Sequence, residues 1–160
     1  MKNLLIILTM TTLFACSESN EVVKQYHNID VGIEFSIFNS ENEDLLNPEN
    51  PNHLDVSKIK LFYIINGERK EVYNSNLTSP RNFMIYKHEN EYRIRIFLNH
   101  TDTSDKPITY IQWNESDTDT IEVTYKRNQN AILKNNVWLN SEKIWERESE
   151  TVEPYFILIK

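Results

Sequence analysis

The 160 residues contain one cysteine and two glycines. A single thiol excludes an intrachain disulfide, a cysteine-rich metal site and a CxxC redox pair, so the fold must be held by its core. With so few glycines, turns that need positive φ fall to asparagine, which is plentiful here. The uncharged run at the front, Leu4 to Ala15 "LLIILTMTTLFA", covers only twelve residues. That is too short to cross about 30 Å of hydrocarbon as a helix. Basic residues are in deficit, seventeen Lys and Arg against twenty-four Asp and Glu. That balance argues against a nucleic-acid partner and against electrostatic adsorption to anionic headgroups. What is present, 39% hydrophobic and 11% aromatic residues, is too rich for a disordered chain and suits one globular domain.

The front of the chain reads as a transport signal. Lys2 supplies a positive start, the apolar run follows, and a polar "SESN" succeeds it. The run closes on Leu13-Phe14-Ala15-Cys16, which resembles the lipobox of bacterial lipoproteins, although Phe14 is larger than the usual residue there. The resemblance implies cleavage between Ala15 and Cys16, a diacylglycerol thioether on the Cys16 thiol and acylation of the new α-amino group. Two or three acyl chains, at about 0.8 kcal/mol per buried CH₂, anchor stably where one does not. The alternative is a simple secretory signal that leaves Cys16 as a free thiol. The expected organisation is a signal peptide at 1–15, a lipidated Cys16 with a flexible tether to residue 30, and an ectodomain at 31–160. Without Lys2, sixteen basic side chains face twenty-four acidic ones, a formal charge of −8.

Beyond Asp30 the hydrophobic period becomes two. Ile33, Phe35 and Ile37 share one face; so do Ile59, Leu61, Tyr63 and Ile65; so do Tyr92, Ile94, Ile96 and Leu98, against Arg93 and Arg95. Further strands are expected at 83–87, 108–113, 120–126, 137–139 and 155–159, and no segment sustains a helical stripe. Asn66-Gly67 is a hairpin signal, because a type I′ turn needs positive φ twice. About eight short strands without crossover helices predict an all-β fold, an antiparallel β-sandwich of immunoglobulin-like or transthyretin-like kind, with an up-and-down barrel as the alternative.

The longest segment outside strands is Asn39 to Ser57, "NSENEDLLNPENPNHLDVS". Its two Asn-Pro pairs impose turn or extended geometry, and Leu45 and Leu46 can plug it onto the core. From Asp30 to about Tyr73, the acidic "DLLNP" segment followed by "IKLFYIINGE" resembles small outer-envelope lipoproteins of the Bacteroidota, a group of unknown function. That resemblance implies a sandwich ectodomain on the outer envelope and no particular activity. The same loop offers hard oxygen donors in Asn39, Glu41, Glu43, Asp44, Asn50 and Asp55, the type Ca²⁺ prefers, but without the EF-hand glycine or closing glutamate. A merely solvated acidic loop is the commoner case. Simple alternation of strand direction would gather loops 39–56, 74–81 and 99–107 at one end, bringing Asp102 and Asp105 to the same place.

Catalytic signals are weak. His27, His53, His88 and His100 are scattered, no GxSxG elbow occurs, and carboxylate pairing cannot be read from spacing in one dimension. No cofactor is implied. Trp113, Trp138 and Trp145, with Tyr110 and Tyr125, could stack against sugars, or fill the core and cross-strand pairs. At Trp113 the alternation favours burial. Sequons at Asn76, Asn99 and Asn114 read as chance in an asparagine-rich chain. The expectation is a lipid-anchored, non-catalytic envelope module whose membrane contact is its N-terminal lipid and whose partner is an envelope protein or glycan. A hydrolase and a purely structural component are the alternatives.

Overall fold

The structure, a computed structural model, describes residues 28–147 and 154–160. The expected signal at 1–15, Cys16, His27 and the expected tether up to residue 27 lie outside the described residues. The described chain forms eleven strands and one 3₁₀ turn, Val56–Lys58, with no α-helix. The strands are β1 Asn28–Asp30, β2 Gly32–Phe38, β3 Lys60–Ile65, β4 Glu68–Glu71, β5 Phe83–His88, β6 Glu91–Phe97, β7 Ile108–Gln112, β8 Thr118–Arg127, β9 Ala131–Leu139, β10 Glu142–Glu146 and β11 Tyr155–Ile159.

They make two sheets of a β-sandwich. The larger runs β1-β9-β8-β7-β3-β4 with β10 also on β9, and the smaller runs β11-β2-β6-β5. The period-two faces meet between them: Ile33, Phe35 and Ile37 of β2 and Ile94 and Ile96 of β6 pack against Leu61, Ile111, Ile121, Val123 and Val137, all buried. Tyr63 ties the sheets together, its hydroxyl donating to the Phe97 carbonyl at 2.5 Å and accepting from Asn82. Burial pushes that hydroxyl up to about 12, with the Asn82 bond opposing.

The sheets are mixed, which corrects the expectation of purely antiparallel pairing. β1 lies parallel to β9, and β11 parallel to β2. The first follows from one stretch of chain serving both sheets: β1 ends at Asp30, Val31 is buried, and β2 begins at Gly32 in the opposite layer. Residues 28–30, expected at the end of a tether, are instead part of the sandwich as β1. The strand count also exceeds eight, because β1 and β10 are short segments sharing one edge of β9, at residues 131–133 and 136–139 respectively.

The junction of β1, β9 and β10 holds a buried charge cluster. On β9 a bulge leaves Asn135 unmatched, since Thr124 pairs Asn136 and Tyr125 pairs Lys134. The extra residue inverts the alternation, so Lys134 follows Val137 toward the interior and is 1% exposed. Its ammonium meets the Asp30 carboxylate, whose other oxygen takes the Arg147 guanidinium. Arg147 also donates from its backbone to Asn135 and from Nε to the Lys134 carbonyl.

A second charged group closes the opposite end. Lys160, just past β11, reaches across to Asp119 (2.6 Å) and Asp117 (2.9 Å), and Asp119 also accepts from Trp113 Nε1 and Asn140 Nδ2. Burial raises the Asp119 carboxyl, but the donors Asn140, Lys160 and Trp113 outweigh it and hold the group below its ordinary 3.8.

Asparagine takes up the left-handed turns. Asn42, Asn66, Asn82 and Asn140 have positive φ, joined by Gly67, Glu89 and Ser141. Asn66-Gly67, with φ of 53° and 81°, makes the expected β3–β4 hairpin turn.

Two outcomes test this description. Asp30→Ala leaves the Lys134 ammonium buried beside a missing partner and is expected to cost about 3 kcal/mol in urea denaturation. Adding Lys134→Met should recover a good part of that loss. Asp119 contributes stability that is present above pH 3.8 and is lost as pH falls through its lower folded value. Asp119→Asn should therefore destabilise by about 1–3 kcal/mol at pH 7 and make acid unfolding shallower, as followed by tryptophan fluorescence.

Candidate functional site

The loop 39–57 is built as a chain of asparagine and aspartate turns. Asn39 Oδ1 accepts from Glu41 and Glu43, Asp44 Oδ1 from Leu46, Asn47 from Glu49, Asn50 from Asn52, and Asp55 from both Ser57 backbone and hydroxyl. Asp44 Oδ2 reaches out of the loop to the Tyr92 amide at 2.7 Å, while Leu45 and Leu46 are buried on the core as their sequence pattern implies. Glu43 accepts from Asn39 and Asn52 side chains. The oxygens proposed for Ca²⁺ are thus engaged in shaping the loop, except Glu41, which is exposed. No group of three or more His, Cys, Asp or Glu able to hold a metal occurs among the described residues.

Of the three loops expected at one end, 39–57 and 74–81 meet, with Arg81 donating to the Ser57 carbonyl, but 99–107 does not join them. Loop 39–57 docks on Tyr92 at the start of β6, and loop 99–107 follows its end, so one strand separates them. Direction does not simply alternate because β5 and β6 form a hairpin in which β6 runs antiparallel to β2. Asp102 sits instead beside β8, where Arg127 binds the His100 and Asp102 carbonyls. Asp105, on the same loop, goes with it to that end.

The aromatics divide between core and capped surface. Trp113 and Trp145 are buried. Trp138 and Tyr110 lie on the outer face of the larger sheet beneath cations, with Lys106 Nζ 4.0 Å from the Trp138 ring centre and the Arg69 guanidinium 4.8 Å from that of Tyr110. Tyr125 keeps its hydroxyl buried, and that burial, with Tyr63 nearby, raises its pKa. Asn99 is fully buried and donates to the Ile64 and Ile108 carbonyls, while Asn114 caps its own turn at Ser116 and Asp117. A continuous stacking platform of these five rings is not formed.

Charged side chains on the outer face of the smaller sheet satisfy one another. Glu34 binds Arg95 and Arg93, Glu91 binds Arg93 and the Tyr155 hydroxyl, and the Arg93 guanidinium lies 3.8 Å over the Tyr155 ring. For both Glu34 and Glu91 burial raises the carboxyl, yet hydrogen bonds from Tyr86 and Arg95 to the first, and from Arg93 and Tyr155 to the second, bring each below its ordinary value. Beside this network a cavity of about 360 Å³ opens at the sheet switch, lined by Asp30, Glu34, Arg95 and Lys134 among others. Its charges are paired across its own walls.

A second recess differs in kind. A groove of about 490 Å³ lies between the 3₁₀ turn and the β4–β5 connection, lined by Val56, Tyr73, Pro80, Arg81, Phe83 and Met84 with neighbouring serines and a threonine. The Asp55 cap fixes one wall. The Asn74 amide donates to the Pro80 carbonyl and closes the other. Arg81 bridges the two, donating to the Ser57 carbonyl at 2.7 Å and the Ile59 carbonyl at 3.1 Å. Val56, Tyr73 and Met84, with Leu77 on the same connection, are four of the seven exposed large hydrophobic residues among the described ones. Neither recess is lined by a histidine. His53 and His100 turn Nδ1 toward backbone carbonyls, and His88 Nδ1 is buried without a partner.

Sequence reading missed this groove. Val56, Tyr73 and Met84 come from three separated segments, and an exposed valine or methionine has no one-dimensional signature.

Searches against known protein families, curated proteins and solved structures find no match to this chain.

The loop geometry sets its own test. Asp44→Ala removes the acceptor for both the Leu46 and Tyr92 amides and is expected to lower stability by about 1–3 kcal/mol. The melting temperature of the unmodified chain should be the same in Ca²⁺ and in EDTA; a rise of several degrees in Ca²⁺ would restore the metal reading of loop 39–57.

Proposed function

We propose that this chain is a lipid-anchored envelope protein whose β-sandwich is a non-catalytic binding module, held at the outer membrane through Cys16 and engaging an apolar segment of a partner protein in the groove between Val56 and Met84. The observation that carries the binding reading is the concentration of exposed apolar side chains, Val56, Tyr73 and Met84, in the wall of one recess, with exposed Leu77 next to its Thr78. The anchor rests on the lipobox-like Leu13-Phe14-Ala15-Cys16 after a short apolar run. A short tether would present the groove close to the membrane.

The groove favours a protein segment over a sugar. Glycan sites place flat rings in the open, whereas Trp113 and Trp145 are buried and Trp138 lies under Lys106. Tyr73 is the single exposed ring in the groove wall. Hydrolysis has less support still, because the carboxyls with resolved shifts, Glu34, Asp55, Glu91 and Asp119, are all lowered rather than raised toward a proton-donating range.

Peptide-array profiling of the full chain in detergent tests the groove. Apolar and aromatic peptides should be enriched, and Met84→Glu or Tyr73→Ala should reduce their binding at least tenfold with an unchanged melting temperature. Retained binding in both variants, or binding to a glycan array alone, would overturn the assignment. For the anchor, Cys16→Ser should move the protein from the detergent-extractable membrane fraction to the soluble one or block its processing. Unchanged retention and processing would contradict lipidation.

A further inference from the structure

The exposed apolar residues not gathered at the groove point to a second surface. Besides Ile29, they are Ile157 at 58% and Ile159 at 64% exposure, both on β11. Among the described residues this strand pairs with β2 alone and so forms an edge of the smaller sheet. The ladder phase is set at both ends: Glu34 N donates to the Pro154 carbonyl and Lys160 N to the Phe38 carbonyl. Pro154, Phe156, Leu158 and Lys160 therefore turn their backbone groups toward β2. Tyr155, Ile157 and Ile159 turn theirs to the open side.

Edges of this kind are ordinarily blunted by charge, proline or brevity. β4, the edge of the other sheet, is Glu68-Arg69-Lys70-Glu71, charged and exposed throughout. β5, the opposite edge of the smaller sheet, carries Lys87 and His88. β11, "YFILI", carries neither charge nor proline over five residues.

We propose that β11 pairs antiparallel with β11 of a second copy of this chain, joining two four-stranded sheets into one of eight strands about a two-fold axis at Ile157. Self-complementarity selects this occupant. A two-fold at Ile157 sets Ile157 against itself and Tyr155 against Ile159, so every outward pair is apolar. Among the described residues the charges flanking the edge are compensated within each copy. Lys160 is held by Asp117 and Asp119, Glu34 by Arg95, and Arg93 by Glu91. Among the described residues no unpaired like charge is brought opposite its equivalent. Because Ile157 turns its backbone groups to the open edge, the central pair exchanges both hydrogen bonds. Its Cα atoms then lie about 5.5 Å apart, inside the range of about 4.4–6.8 Å that a disulfide spans.

That register makes the test specific. The full chain in detergent is oxidised after single substitutions, with the unsubstituted chain as the control for Cys16. Ile157→Cys should give a covalent dimer as the main product. Tyr155→Cys and Ile159→Cys should each give little alone and a heterodimer when mixed. Separately, Ile157→Lys should convert a dimer into a monomer in sedimentation velocity while the far-ultraviolet spectrum stays the same. A monomeric unsubstituted chain at tens of micromolar, as a β11 edge covered by the chain's own residues would give, overturns the proposal. Equal cross-linking at all three positions, or an unchanged dimer in Ile157→Lys, also overturns it. None of these readouts involves the Val56–Met84 groove, so its assignment stands or falls separately.

Discussion

The segment from Asn28 to Phe38 belongs to both sheets, and the contact that secures the change of layer is the ion cluster of Asp30, Lys134 and Arg147. Lys134 is 1% exposed, and a lone ammonium at such a site would be costly enough to prevent the local fold. Asp30 answers it only because β1 stops where it does, and Arg147 arrives only because β10 covers the rest of the same β9 edge. From this corner β2 enters the second layer in register with β6 and then carries β11. The small sheet is therefore assembled on a strand whose entry point is an electrostatic contact in the large one.

The remaining architecture distributes polar groups by the same logic. Two buried polar groups are partnered across the layers, Asp119 by Lys160 in addition to Trp113 and Asn140 of its own layer, and Tyr63 by Phe97 and Asn82. On the outer face of the smaller sheet charges pair with one another, as Glu34 does with Arg93 and Arg95. Among the described residues, large apolar groups left in water are few and fall mainly in two places, the groove beside the 3₁₀ turn and the β11 edge. One reads as a recess for a partner segment and the other as a flat edge for a second copy.

Much of the sandwich was legible because its strands are amphipathic at period two. Ile33-Phe35-Ile37 and Ile94-Ile96-Leu98 are buried as their alternation implies, and Asn66-Gly67 turns where expected. The burial of Trp113 was legible for the same reason. Lys134 was not, because the bulge at Asn135 inverts the alternation and no local residue announces it. β1 is three residues of unremarkable polarity whose pairing is set by long-range charge. The parallel ladders were missed because simple alternation cannot represent a strand that changes sheets. The acidic loop misled in a physical sense too: asparagine and aspartate suit a metal site, but they equally suit turns, and here they cap one another's backbone. The groove depends on three segments meeting and left no trace in one dimension.

Native-state hydrogen exchange tests most directly the claim that the corner couples the layers. The amides of β1 and of residues 131–133 on β9 should open with the same free energy as the core amides of β2 and β6, equal to that of global unfolding. Exchange of β1 and β10 through a low-energy local opening, with β2 and β6 still fully protected, would contradict it.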